Sequence, residues 1–383
     1  MFNAIVLGAG MVGSVMARDL AQDAEFSVTI VDRSAEALAR AKALDPDRIK
    51  TAVLDLSDLD AVKAAIAPCD IVLGAAASHL GYDLLRTVIE AGKNYADISF
   101  MPEDAMDHDE LAKAKGVTAV VDCGVAPGMS NLLCGRAVAA LDECDELEIY
   151  VGGLPVERRW PFEYKAGFAP ADVIEEYTRP SRIVEGGEVV VREALSEPEL
   201  MDLPGVGTVE AFNTDGLRSI ADTLEIENMK EKTLRYPGHI EIMRVLRAMG
   251  LFSKEPIEVG GQMVVPLEVT QKLMFPMWTY EEGEADLTVM RVSGSGVLDG
   301  IETRITWDLL DYYDAATGAT SMSRTTAFPC AIFARMIARG ELNRPGVAPP
   351  ELLGHDEALV ERVLGELMER GVRYETVIES VGD

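Results

Sequence analysis

Gly8, Gly10 and Gly13 directly follow the apolar residues Ala4, Ile5, Val6 and Leu7, with Met11 and Val12 between the last two glycines, and Asp32 closes a second apolar run 19 residues beyond Gly13. Each of these residues has a job if a dinucleotide binds. Gly8 permits a tight turn, Gly10 admits a pyrophosphate against the backbone, and Gly13 lets the next helix pack close to the strand. The helix start offers its unpaired N–H groups and the positive end of its dipole to the phosphates. The Asp32 carboxylate can accept hydrogen bonds from the adenosine ribose hydroxyls and would repel a 2′-phosphate, so the pattern favours NAD over NADP. Arg33 beside it is counted with the cofactor contacts.

Further candidates stand at the carboxyl ends of later strands, where ligands lie in an open parallel sheet. Asp55 and Leu56 end the third strand, at the place for the adenine. Ala75, Ala76, Ala77 and Ser78 follow the fourth and are small enough to admit the nicotinamide ribose, or are ordinary loop residues. Asp97 and Asp122 end the next two strands and are carboxylates that would face the nicotinamide. In the second half, Arg218 and Arg235 could each grip a carboxylate through two parallel hydrogen bonds, or be paired within the protein. Asp215 reads as a helix N-cap or a catalytic group. His239, one of four histidines, follows Gly238 at a loop-to-helix junction and is a candidate general base or a hydrogen-bonded structural group. Tyr164, Lys165 and Tyr236 could line the substrate pocket or belong to the core.

The elements that must position these residues follow from periodicity. Apolar strands at 3–7, 27–32, 50–54, 70–74, 94–97 and 117–121 alternate with helices at 11–21, 34–44, 58–66, 80–91 and 103–115, which gives an α/β, doubly wound parallel sheet of Rossmann type over residues 1–127. From Pro127 a helix is expected to about 141. Half-buried strands follow near 146–151, 183–192, 257–269, 285–293 and 300–314, with helices near 170–176, 214–222 and 239–249. This is the pattern of a second, α+β substrate domain over 128–319. Apolar helices in 320–383 are expected to pack back on the first domain.

Composition narrows the partners. Lys and Arg number 35 against 65 Asp and Glu, a net charge of −30 that repels phosphate backbones and anionic membranes. Neither nucleic acid nor a membrane is expected as a partner. The five cysteines are dispersed, with no spacing that suggests a zinc site, so no metal is expected. With no leader or membrane span in the sequence, a cytoplasmic location is expected.

Three strings go further: 122–131 (DCGVAPGMSN), 211–219 (AFNTDGLRS) and 233–239 (TLRYPGH), together with 175–180 (EEYTRP) and 321–324 (SMSR). They resemble the motifs of the saccharopine dehydrogenase family over almost the whole chain. Ala126 stands where the saccharopine reductases of that family generally carry an acidic residue, and the chain most resembles the lysine 6-dehydrogenase branch. The resemblance implies NAD-dependent oxidative deamination of the ε-amine of L-lysine, an amino-acid substrate and a homodimer. A saccharopine or other opine dehydrogenase is the alternative within the enzyme class. A silent NAD-binding regulator is the alternative outside it.

Overall fold

The structure is a computed structural model that describes residues 1–381. It divides into two compact units, Met1–Ala140 with Ser323–Arg373, and Leu141–Met322 with Tyr374–Asp383.

In the first unit β1 (Phe2–Leu7), β2 (Phe26–Asp32), β3 (Ile49–Val53), β4 (Ile71–Gly74), β5 (Asn94–Asp97) and β6 (Thr118–Val120) alternate with α1 (Met11–Ala21), α2 (Ala35–Leu44), α3 (Leu59–Ile66), α4 (Ser78–Glu90) and α5 (Asp109–Lys115). The sheet order is β6-β5-β4-β1-β2-β3, every pair parallel, so the chain reverses direction of winding at β1 and β4. A seventh strand, Gly346–Ala348, adds to the β6 edge. Sequence periodicity does not reveal it, because three residues are too few to show alternation. Ile5, Leu7, Val31, Val72 and Tyr95 form one buried core with the apolar faces of α3 and α4. Ser34 and Asp58 cap α2 and α3 with side-chain oxygens, as the helix starts require.

The helix α6 (Met129–Ala140) falls in the first unit, so the division lies after it and not at the expected 127/128. Its packing decides this. A Cβ on Gly135 would lie 2.1 Å from the Glu351 carbonyl oxygen, so helix and returning chain touch backbone to backbone. The helices near the C-terminus are held on α1 by charge: Arg335 pairs with Asp19 at 2.5 Å, Arg370 with Asp19 at 2.8 Å, and Arg339 with Asp23 at 2.5 Å.

The second unit is built on a nine-stranded mixed sheet. Its centre is the long strand Glu143–Pro155, paired parallel with Asn228–Arg235 and antiparallel with Asp286–Leu298. Three expectations change here. The run at 183–192 is two strands, Ser181–Glu185 and Glu188–Arg192, folded at Gly186 and Gly187, which both have positive φ. The run at 257–269 is a short hairpin and then the start of a helix, Pro266–Trp278, for which Pro266 is a favourable first residue. Finally, Tyr374–Ser380 is a strand pairing with Ile301–Tyr312, so this segment belongs to the second unit and not to the C-terminal helical segment.

Candidate active site

The glycine loop is built as its residue types require. Gly8 has φ of +112°, and a Cβ there would meet the Ala75 carbonyl oxygen at 2.3 Å. A Cβ on Gly13 would lie 2.0 Å from the Gly8 carbonyl oxygen, so α1 rests directly on the turn. Around Gly10, by contrast, no atom lies within 4 Å of an added Cβ, so the loop backbone faces open space there. No side chain caps α1 and no acidic residue stands in its first turn, and Ala77 likewise leaves α4 without a side-chain cap. Two adjacent strands therefore end in helix starts with donors available to an anion.

Asp32 does more than the sequence suggests. Its Oδ2 accepts the Ala9 N–H at 2.8 Å and its Oδ1 the Ser34 N–H at 2.8 Å, so the carboxylate itself holds the glycine loop against the end of β2. Each oxygen keeps a second lone-pair site for a ribose hydroxyl. Arg33 beside it is exposed. Asp55 is exposed as well, and its Oδ1 accepts from the N–H and hydroxyl of Ser57, which lowers its pKa. Leu56 is buried, and Ala75 and Ala76 are half-buried at the end of β4.

Asp97 is the unusual group of this unit. It is fully buried; Oδ1 accepts from the Ser99 N–H (3.1 Å) and hydroxyl (2.8 Å), while Oδ2 has no hydrogen-bond partner among the described residues. Its carboxyl is pushed up to about 6: burial is the largest cause, the Ser99 bonds oppose it, and the Asp122 carboxylate adds to it. The Tyr95 hydroxyl shares this corner, since a Cβ on Gly74 would lie 2.1 Å from both that oxygen and Asp97 Oδ1. Asp122 is buried with φ of +49°, and the next residue ties it to the same place, because the Cys123 N–H (3.0 Å) and thiol (3.2 Å) both donate to the Asp97 carbonyl. The two carboxylates expected at strand ends are thus brought together. Further along the 122–131 string, Asn131 Oδ1 accepts from the Gly128 N–H and the Ser130 hydroxyl, and its amide reaches Glu351 at 3.3 Å.

In the second unit the candidates part company. Arg235 is buried under the Tyr164 ring, its guanidinium 4.3 Å from the ring centre. It pairs with Glu176 at 2.6 Å, and its Nε–H donates to the Tyr177 hydroxyl at 3.1 Å. His239 completes the same chain. The Phe162 carbonyl, 2.8 Å from Nδ1, can only accept, so Nδ1 carries the ring proton and Nε2 accepts from the Tyr177 hydroxyl at 2.9 Å. Burial, with the Arg235 charge, lowers the His239 pKa to about 3. Both nitrogens are engaged and the ring is neutral, so the expectation of a general base at His239 is corrected: the imidazole braces the Arg235 cluster. Asp215 is corrected too. The nearby helix is only Ile220–Thr223 with Ser219 at its N-cap, and Asp215 accepts from the N–H and Nε–H of Arg182 at 3.3 and 3.1 Å. Tyr236 donates to the Pro155 carbonyl at 3.0 Å, and Lys165 binds Glu284 and the Thr279 carbonyl. Arg218 is buried with φ of +55°.

Sequence reasoning assigned no role to Glu176, Tyr177 or Glu231. Glu231 is buried against Gly216, accepts from the Thr214 hydroxyl at 2.5 Å, and is pushed up to about 8, chiefly by burial. No local signal marks it, since its strand, Asn228–Arg235, is rich in charged residues and shows no apolar alternation in the sequence.

Two family models cover this architecture, "Saccharopine dehydrogenase NADP binding domain" at residues 4–120 and "Saccharopine dehydrogenase C-terminal domain" at residues 124–372. The chain belongs to the saccharopine dehydrogenase family. Among similar proteins of that kind, the Schizosaccharomyces pombe saccharopine dehydrogenase [NADP(+), L-glutamate-forming] is 22% identical, with 98% of each chain covered. The Synechocystis carboxyaminopropylagmatine dehydrogenase is 24% identical over 96% of each. The apo saccharopine dehydrogenase (L-Glu forming) of Saccharomyces cerevisiae has the same fold, with a TM-score of 0.82 at 18% identity over 99% of this chain and 100% of that one. No helix among the described residues is long and apolar enough to cross a membrane.

Proposed function

We propose that this protein is an NAD-dependent oxidoreductase acting on the ε-amine of L-lysine. One observation carries the reading: Asp97, at the carboxyl end of a parallel strand in a dinucleotide-binding sheet, is a buried carboxyl near 6 whose Oδ2 has no hydrogen-bond partner within bonding distance among the described residues. A carboxyl so placed is mostly ionised at neutral pH yet more basic than an exposed one, which suits a general base.

The residues of the first unit fit a dinucleotide. The open space at Gly10 and the uncapped starts of α1 and α4 would hold the phosphates, and Asp32 the adenosine ribose. When bound, the nicotinamide supplies the hydride acceptor. The chain supplies the proton chemistry. The lysine ε-ammonium, with a free pKa of about 10.4, must lose a proton before its lone pair can drive hydride from the ε-carbon. Asp97 Oδ2 takes that proton, and the Asp122 carboxylate holds the Asp97 pKa up. Loss of hydride leaves a substrate iminium, which water hydrolyses to 2-aminoadipate 6-semialdehyde and ammonia; the aldehyde closes on its own α-amine. Arg235 is already committed to Glu176 and Tyr177 and is given no contact with the substrate. A cytoplasmic homodimer belongs to the same proposal, and sedimentation equilibrium tests its subunit count.

A second reading is favoured by the names of the relatives, saccharopine and carboxyaminopropylagmatine dehydrogenases. Oxidation of a secondary amine would use the same deprotonation and hydride loss. Ala126 supports the lysine reading. The test is turnover of lysine carrying nitrogen-15 at the ε-position, with NAD or NADP. Labelled ammonia with NAD is expected. Unlabelled ammonia, or glutamate formed from saccharopine at a higher kcat/KM, overturns the lysine assignment, and an equal or better rate with NADP overturns the cofactor choice.

A further inference from the structure

The second unit carries an open pocket of about 320 Å³ whose walls are aromatic: Trp160, Phe162, Tyr164 and Tyr280, with Met277 beside them. That volume lies at the small end of ligand pockets. Trp160 is 86% exposed. Such an indole leaves a large apolar face in water and one π-surface available to a ligand. Tyr280 lines the pocket with its ring, while its hydroxyl is buried and has no hydrogen-bond partner among the described residues.

Charge decides what the pocket suits. Its two cations are already matched. Lys165 binds Glu284 and the Thr279 carbonyl at 3.1 Å; Arg159 pairs with Glu157 at 3.0 Å and lies 3.9 and 4.0 Å from Glu284 and Glu281. Three carboxylates therefore face two cations, on a chain of net charge −30. An anion would meet an excess of like charge, and a cation would meet aromatic faces and carboxylates together.

We propose that this pocket binds a small organic cation, a primary ammonium or guanidinium on a short apolar stem. The stem is suited to Met277 and Phe162, and the charge to the Trp160 face. The proposal concerns binding alone and does not rest on the lysine reaction.

The test uses the full chain without nicotinamide, titrated calorimetrically with 1,5-diaminopentane and, as an anionic control of similar shape, pentanoate. The other tryptophans, Trp278 and Trp307, are buried, so a blue shift of emission and loss of acrylamide quenching report on Trp160. Saturable diamine binding with that shift is expected, and pentanoate should bind far more weakly. Trp160→Ala, at an exposed site where folding is not at stake, should weaken the diamine on the order of two- to thirtyfold. The proposal is overturned if millimolar diamine gives no saturable heat, if pentanoate binds as tightly, or if Trp160→Ala keeps the parental affinity. Because no turnover is measured, these outcomes are separate from the fate of the lysine reading.

Discussion

Replacing Asp97 by asparagine should make the protein less active and more stable at once. The side chain keeps its shape and an oxygen for the two Ser99 bonds, while the buried charge disappears. In the folded chain the carboxyl titrates at about 6. In an unfolded chain an aspartate titrates near about 3.9. Between those values the folded state holds more protons than the unfolded one, so stability falls as pH rises through that window and stays lowered above it. A displacement of about two units corresponds to roughly 3 kcal/mol, the upper limit of what Asp97→Asn can recover at neutral pH. Below the unfolded value the two proteins should be equally stable. Loss of a general base should at the same time lower kcat by about 10²- to 10⁴-fold. In the parent the kcat profile should fall on the acid side through about 6, as Asp97 becomes protonated. The assay pairs urea melts from about pH 2.5 to 8, a range spanning both titrations, with NADH formation over the part of it where the protein stays folded. A variant with near-parental kcat refutes the catalytic assignment. A variant less stable than the parent at neutral pH refutes the burial argument, even if activity is lost.

Other expectations follow from single contacts. Asp32→Ala removes the carboxylate that holds Ala9 and, in the proposed complex, the ribose; each charge-assisted bond lost should weaken NAD by about 1.5–3 kcal/mol, measured by dinucleotide titration, and unchanged affinity would argue against that placement. Gly13→Ala puts a Cβ 2.0 Å from the Gly8 carbonyl and should abolish dinucleotide binding; a variant that binds normally would mean that the turn can shift. His239→Ala should destabilise the second unit by about 2–4 kcal/mol through two lost buried hydrogen bonds and a cavity, and leave the acid limb of any remaining activity where it was; a moved limb would restore the histidine as a base. Because the folded His239 titrates near 3 while an unfolded histidine titrates near about 6.5, its contribution is complete above the higher value and is lost as pH falls between the two, which acid melts of parent and variant can measure.

The first unit was legible because its information is local. An apolar run of a few residues, a glycine at a turn and a capping side chain each act within one or two turns of chain, and β1 to β6 with their helices lie within a few residues of the periodic reading. The second unit was less so. Glu199–Leu203 is largely exposed and pairs only with Gly207–Asn213, so neither strand stood out. Tyr374–Ser380 is exposed along most of its length and finds its partner far back in the chain, at Ile301–Tyr312. The same difference governs the site. The types and spacing of Gly8, Gly13 and Asp32 determined a dinucleotide loop, since the loop and its helix are contiguous. What His239 does was decided only by Tyr177 and Phe162, which lie 62 and 77 residues away, and what Arg235 does by Glu176, 59 residues away. A side chain's protonation and free hydrogen-bonding capacity depend on the groups that surround it after folding, and those groups come from segments whose meeting no local pattern records.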